Sequence, residues 1–230
     1  MKYLRLMGGL ALLLALLVAT GCAPKMVTKG SEFPKMYEEQ PQSLLVLPPI
    51  NESTDVEAKP YYMTTVEMPF AQSGYYVFPV EMVSDIMKQE GVYDTELLYQ
   101  VPLDKFYEYF GADAVLYTHI KKWDVAYMVI ASSLTVAVES EIVSTKTSEV
   151  LWKYNGTVVV DLSGGNQGGG IAGLIVSAVA TAINTAAADY VKYAHVANAQ
   201  LISSLPAGPY SQMYLKDQST KIVDQSPQKE

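Results

Sequence analysis

Apolar residues along the chain switch repeatedly between a period of two and a period near 3.6. The run SLLVLPPI (43–50) is continuously apolar and stops at two prolines, which reads as a buried strand ending where the prolines remove donors. NESTDVEAKP (51–60) is a polar loop. A helix is expected over 60–73, with Pro69 ending or kinking it. GYYVFPV (74–80) reads as a second strand opened by Gly74, and Pro79 suits the first turn of the next helix. In that helix Val80, Val83, Ile86 and Met87 share a face, and Gly91 supplies the stop. Pro102 opens a third helix, whose Leu103, Phe106, Tyr107 and Phe110 fall at i, i+3, i+4 and i+7. Asp104 lies in its favoured first turn and Gly111 ends it.

ADAVLYTHIKKW (112–123) follows as a strand, and two further runs predict a hairpin. Leu134, Val136, Val138 and Ile142 occupy one face of its first strand; Thr135, Glu139 and Glu141 occupy the other. A turn near Lys146-Thr147-Ser148 leads into a strand where Val150, Trp152 and Tyr154 alternate with Leu151, Lys153 and Asn155. The order β-α-β-α-α-β-β-β predicts an α/β fold over 43–205, a mixed β-sheet flanked by helices in a single domain.

The two ends read differently. Lys2 and Arg5 precede an apolar stretch from about Met7 to Thr20. As a helix it would rise about 21 Å, short of a bilayer core of about 30 Å and suited to a signal-peptide h-region. Ala19-Thr20-Gly21-Cys22 then resembles the lipobox of bacterial lipoproteins, with Ala19 where that pattern usually has Leu. The resemblance implies that 1–21 is a signal peptide and that Cys22 becomes the acylated N-terminus. Several acyl chains anchor a protein essentially permanently, at about 0.8 kcal/mol per buried CH₂. Cys22 is also the only cysteine, so the mature chain enters an oxidising compartment with no disulfide framework. Ala23 is not the Asp that lipoprotein sorting associates with inner-membrane retention, which implies the inner leaflet of the outer membrane, facing the periplasm. Residues 22–42 hold Pro24, Gly30, Pro34, Pro41 and several charges, and read as a flexible tether. Residues 206–230 read as a polar, disordered tail.

Composition narrows the partners. The formal net charge is −8, and loss of Lys2 and Arg5 makes the rest more acidic, which argues against nucleic acid and against anionic headgroups as partners. Tyrosine is abundant, 17 residues against 5 Phe, which suits half-buried and interface positions or simply a Tyr-rich sheet surface. SGGNQGGGIAGLIVSAVATAINT (163–185) has glycines but no closing Gly-Lys-Ser/Thr and no G-x-G-x-x-G in a βαβ unit, so nucleotide binding is not expected. Ile171–Ala188 is apolar but rich in Ala, Ser, Thr and Gly. It reads as a helix packed on the sheet, an association surface through the small-residue pair Gly169 and Gly173, or a second span.

Candidate chemistry is sparse. The two histidines, His119 and His195, carry no metal-ligand spacing, and there is no G-x-S-x-G. Glu139, Glu141, Asp104 and Glu108 are explained by solvated faces. No catalytic residue, metal or cofactor is expected, and the reading is a non-enzyme. Two surfaces remain as candidates. Tyr127, Met128, Val129 and Ile130 cluster apolar side chains at a hairpin connection, a candidate interface together with the Gly169/Gly173 helix. Tyr61, Tyr62, Tyr75 and Tyr76 are the candidate lining of a ligand or lipid pocket.

LLVLPPINES, GYYVFPV and FGADAVLYTHIKKW together resemble recurring segments of a proteobacterial lipoprotein family of unknown function, typified by a neisserial outer-membrane vaccine-antigen lipoprotein. The resemblance covers about residues 42–205. It implies a fold like the TolB N-terminal domain, reminiscent also of CsgG and LpoB. It further implies a homodimer, a CsgG-like lipoprotein as a partner, and an assembly role in envelope transport, secretion or maintenance. Regulation of a peptidoglycan synthase would follow from fold analogy alone.

Overall fold

The computed structural model describes residues 25–127, 132–161 and 190–225. Eight strands are described in these residues: β1 (Met26–Thr28), β2 (Ser43–Val46), β3 (Ile50–Asn51), β4 (Tyr76–Phe78), β5 (Ala114–Tyr127), β6 (Ser132–Ser144), β7 (Val150–Asp161) and β8 (Lys221–Val223). The helices are α1 (Lys29–Glu32), α2 (Pro34–Glu39), α3 (Ala58–Gln72), α4 (Val80–Gln89), α5 (Thr95–Leu98), α6 (Leu103–Phe110) and α7 (Tyr190–Leu201). The main sheet runs β4-β2-β5-β6-β7, with β3 also on β5. β2 is parallel to β4 and β5, whereas β5-β6-β7 is antiparallel. The mixed sheet flanked by helices is the expected fold class.

The two prolines after Leu47 interrupt one strand rather than end it. Pro48 and Pro49 have no N–H to give to the ladder. The Leu47 N–H still donates to Leu116 O at 3.2 Å, and β3 resumes the pairing at Ile50 against His119. Period-two alternation then divides the core. Leu44 and Val46 face one side with Leu116, Ile120, Leu134, Val136 and Trp152, under α3 and α7. Leu45 and Leu47 face the other with Val115, under α4, α5 and α6.

α3 continues through Pro69. Its buried positions Ala58, Tyr62, Thr65, Val66, Pro69 and Phe70 keep helical spacing, so burial of this stripe outweighs one lost backbone bond. α6 matches its expected span, and Gly111 closes it at φ +67°. At the start of β7 the alternation breaks. A bulge between Ile142 and Val143 pairs Val143 with Val150 and Ile142 with Trp152, so Leu151 joins the core and Val150 turns outward.

Both ends depart most from expectation. The expected tether is folded from Met26 onward: β1, α1 and α2 dock, and Phe33 and Met36 are buried. The expected disordered tail is ordered through Gln225, because its backbone is bonded elsewhere. Gly208 N–H donates to Ser73 O at 2.8 Å, Tyr210 N–H to Gly74 O at 3.0 Å, and β8 pairs antiparallel with β1. Glycine permits this approach. A Cβ on Gly208 would lie 2.3 Å from Gly74 O, backbone against backbone.

Candidate functional site

Among the described residues, the helices on the Leu45 and Leu47 face of the sheet, α4 to α6, cover its parallel half. Of β5, β6 and β7, only Val115 of β5 belongs to that second buried cluster. Beyond it this face carries Tyr117 and Val143 and, among them, partly exposed charged and polar side chains: His119 and Lys121 on β5, Glu139 and Glu141 on β6, Lys153 on β7. Two adjoining hollows of about 340 and 500 Å³ lie on it and share Tyr117, His119 and Glu141. One ends at Tyr99, Val101 and Leu103 between α5 and α6, and the other at Asn155 and Gln225. The groove therefore has an apolar end and a charged end.

Pairing of β3 with β5 brings loop residue Glu52 beside His119. Glu52 Oε1 is 2.7 Å from His119 Nδ1, and Lys121 Nζ donates to Glu52 Oε2 at 2.8 Å. Lys121 also pairs with Glu139 at 3.3 Å, and Lys153 with Glu141 at 3.5 Å. Hydrogen bonds from Lys121 and His119 hold the Glu52 carboxyl below its usual range, and the bond to Glu52 raises the Lys121 ammonium. At the apolar end Tyr99 OH donates to Thr118 O at 2.7 Å and accepts from Thr118 N–H at 2.8 Å. The Tyr99 ring stands edge-on to Tyr117 at 4.9 Å and to His119 at 5.5 Å. These rings build a wall that pure charge would not.

Asp113 of the FGADAV segment is structural. Burial alone would raise its carboxyl, but Lys146 and the Gln42 N–H outweigh that and hold it low. It also accepts from Ser43 N–H and Ser43 Oγ at 3.2 and 3.1 Å, fixing the start of β2.

The tyrosine quartet does not form a pocket. Tyr61 and Tyr62 lie in the first turns of α3; Tyr75 and Tyr76 follow its end, which at 1.5 Å per residue lies about 15 Å along the helix from Tyr62. Tyr61 stacks on Trp123 at 6.3 Å, Tyr62 is fully buried, and buried Tyr75 donates to Pro206 O at 2.8 Å. Tyr76 is 54% exposed on the sheet edge, edge-on to Phe78 at 5.1 Å. Tyr127 closes β5, while Met128, Val129, Ile130, Gly169, Gly173 and Cys22 lie outside the described residues. Among the described residues, no cluster of His, Cys, Asp and Glu could hold a metal, and no helix is long and apolar enough to cross a membrane. The sequence places Glu139 and Glu141 on a solvated face and gives His119 no partner; that Glu52 joins them is not evident from it. The available signal was the short β3 run after the prolines.

Burial pushes the phenols of Tyr62, Tyr117 and Tyr154 up to about 12 from 10. A raised folded-state value means the fold prefers the neutral phenol. This stability is whole below an unfolded value near 10 and is lost as pH rises toward about 12. Alkaline titration followed by phenolate absorbance is expected to show a late-ionising class, with loss of near-ultraviolet circular dichroism in the same interval. All phenols ionising together near pH 10 with the fold intact would contradict it.

The architecture is that of an α/β domain in which the described residues leave one half of one sheet face uncovered, and comparison with known proteins gives its class as a bacterial lipoprotein domain. The chain belongs to the family described as "Putative lipoprotein GNA1162-like", whose profile matches residues 31–210. It is 32% identical over 183 residues to "Putative lipoprotein NMB1124/NMB1162" of Neisseria meningitidis, covering 79% of this chain and 81% of that one. The crystal structure of lipoprotein GNA1162 from Neisseria meningitidis aligns with TM-score 0.52 at 32% identity, over 62% of this chain and 98% of that chain. A PelC dodecamer structure from Paraburkholderia phytofirmans aligns with TM-score 0.43 at 16% identity, over 72% and 90%.

Proposed function

We propose that the chain is a non-catalytic docking component of the cell envelope. It is acylated at Cys22, held at the inner leaflet of the outer membrane, and presents its open sheet face to an envelope protein. The observation that carries this reading is the groove over β5, β6 and β7, which no described residue covers. Its ion pairs leave both signs of charge at the surface, and Tyr99, Tyr117 and Leu103 supply the apolar area a contact needs. A mixed charge pattern of this kind favours register and specificity over bulk affinity. Self-association into a dimer and pairing with a CsgG-like lipoprotein belong to the same reading.

The test is photo-crosslinking in living cells from a benzophenone side chain placed at Glu141 or Lys153, with Tyr93 as the control position. A discrete adduct is expected from the groove positions and not from Tyr93. Equal labelling from all three, or none, would remove the groove as the contact surface.

A further inference from the structure

The distance between the acylation site and the folded domain is short. Lys25 is already structured: its Nζ pairs with Asp224 Oδ2 at 2.6 Å and its carbonyl accepts from Asp224 N–H at 2.9 Å. β1 begins at the next residue. Cys22 lies three residues before Lys25. Three fully extended residues reach at most about 10 Å. On the reading that Cys22 carries the acyl chains, the β1-β8 ribbon therefore stands within about 10 Å of the headgroups, whatever path the intervening residues take.

The ribbon presents a matching surface. Val27 and Ile222 are register partners turned toward the core. Met26 and Val223 are partners on the outer side, 50% and 44% exposed, at the ribbon end that continues toward Cys22. Thr28 and exposed Lys221 pair beyond them. We propose that this outer face, Met26 and Val223 with Lys25 and Lys221 beside them, rests in the headgroup layer of the phospholipid membrane, so that the domain is seated on the bilayer and not suspended from it. The apolar pair suits the headgroup boundary, and the Lys221 stem can lie along it with its ammonium group at phosphate level, while Lys25 brings the Asp224 carboxylate it is paired with, its charge already balanced. Two small side chains would not bind a membrane unaided. The acyl anchor supplies the affinity by holding the ribbon at high local concentration, and the ribbon sets the orientation.

The seat has a consequence for the groove. Gln225 follows β8 by two residues; its N–H donates to Glu32 Oε1 at 3.2 Å, and its Oε1 accepts from Asn155 N–H at 3.2 Å. The charged end of the groove thus opens beside the lipid surface, and a partner reaching it must approach along the membrane.

The experiment uses the acylated full-length mature protein in phosphatidylcholine vesicles containing brominated lipid. With Cys22 acylated, the chain has no other cysteine. Val223→Cys therefore takes a single environment-sensitive fluorophore, and Tyr93→Cys, on the helical layer across the sheet, serves as the control. Several-fold stronger bromine quenching at position 223 than at 93 is expected, and inserting a long Gly/Ser linker between Cys22 and Lys25 is expected to weaken it. Equal quenching at both positions in protein whose intact mass includes the acyl groups would overturn the seated orientation alone. A mature protein without acyl mass would overturn the anchor at Cys22, and the seat with it.

Discussion

Replacing Asp217 by Ala is expected to lower the unfolding free energy by about 3–5 kcal/mol, the usual cost of leaving one member of a buried ion pair without its partner. The side chains of Lys29 and Asp217 are only 11% and 6% exposed, and their charged atoms lie 3.2 Å apart. Asp217 also accepts from Tyr37 OH at 3.0 Å and from Ala207 N–H at 2.9 Å. One carboxylate therefore ties α1, α2 and the segment after α7. Lys29 retains only its bond to Leu205 O, a neutral acceptor for a charge in a site with little water. Urea denaturation followed by circular dichroism measures the loss. The double variant Lys29→Met with Asp217→Leu should recover the part due to the unpaired charge, but not the part due to Tyr37 OH and Ala207 N–H losing their acceptor. A loss below about 1 kcal/mol for Asp217→Ala would show the pair to be solvated in practice.

The clasp explains why the two ends were the least legible part of the sequence. Prolines, a glycine and charges over 22–42 have the composition of a linker, and no hydrophobic period runs through them. The folding information sat in single residues: Thr28 caps α1 through a reciprocal bond with Ser31, Pro34 stands at the first position of α2, and Phe33 and Met36 are spaced to bury together. The later segment is held mainly by backbone bonds to Ser73, Gly74, Lys29 and Gly30, which leave no hydrophobic period to read. Strong periodicity was reliable by contrast. Leu134, Val136, Val138 and Ile142 are all buried, and Glu139 and Glu141 stand on the open face, as the alternation required. It failed only at Val150 and Leu151, where a bulge adds one residue; beyond it Trp152 and Tyr154 are buried and Lys153 and Asn155 exposed, as the alternation required. The groove was only half legible. Strand alternation put the charges on one face, but Glu52 arrives there through the short β3 pairing, and Tyr99 through an α5 helix that no pattern announced.

Phe33→Ala is expected to be nearly as costly, about 3–5 kcal/mol for a fully packed aromatic, but to act locally. Phe33 is 4% exposed, and its ring centre lies 6.3 Å from that of Trp152. Trp152 in turn meets Phe70 at 6.3 Å and Tyr154 at 6.2 Å, so Phe33 is the N-terminal segment's entry into the main aromatic cluster. Met36, Pro41 and the Lys29 side chain are the other buried parts of that segment. Opening 25–42 leaves the β5-β6-β7 ladder intact, so a sub-global opening is the cheaper response to the cavity. Hydrogen exchange read by mass spectrometry should show faster exchange in β1, α1 and α2 and in β8, which loses its partner strand, with β5 and β6 unchanged. Uniform acceleration throughout the domain would mean that the N-terminal segment opens only with the whole. The same substitution changes reach. Once freed, about twenty residues separate Cys22 from β2, and a flexible chain of that length has an end-to-end distance of about 25 Å. Phe33→Ala would thus convert the short seat into the tether that composition had suggested. Quenching at position 223 should fall with it, because the packing of one phenylalanine sets how far from the membrane the groove can work.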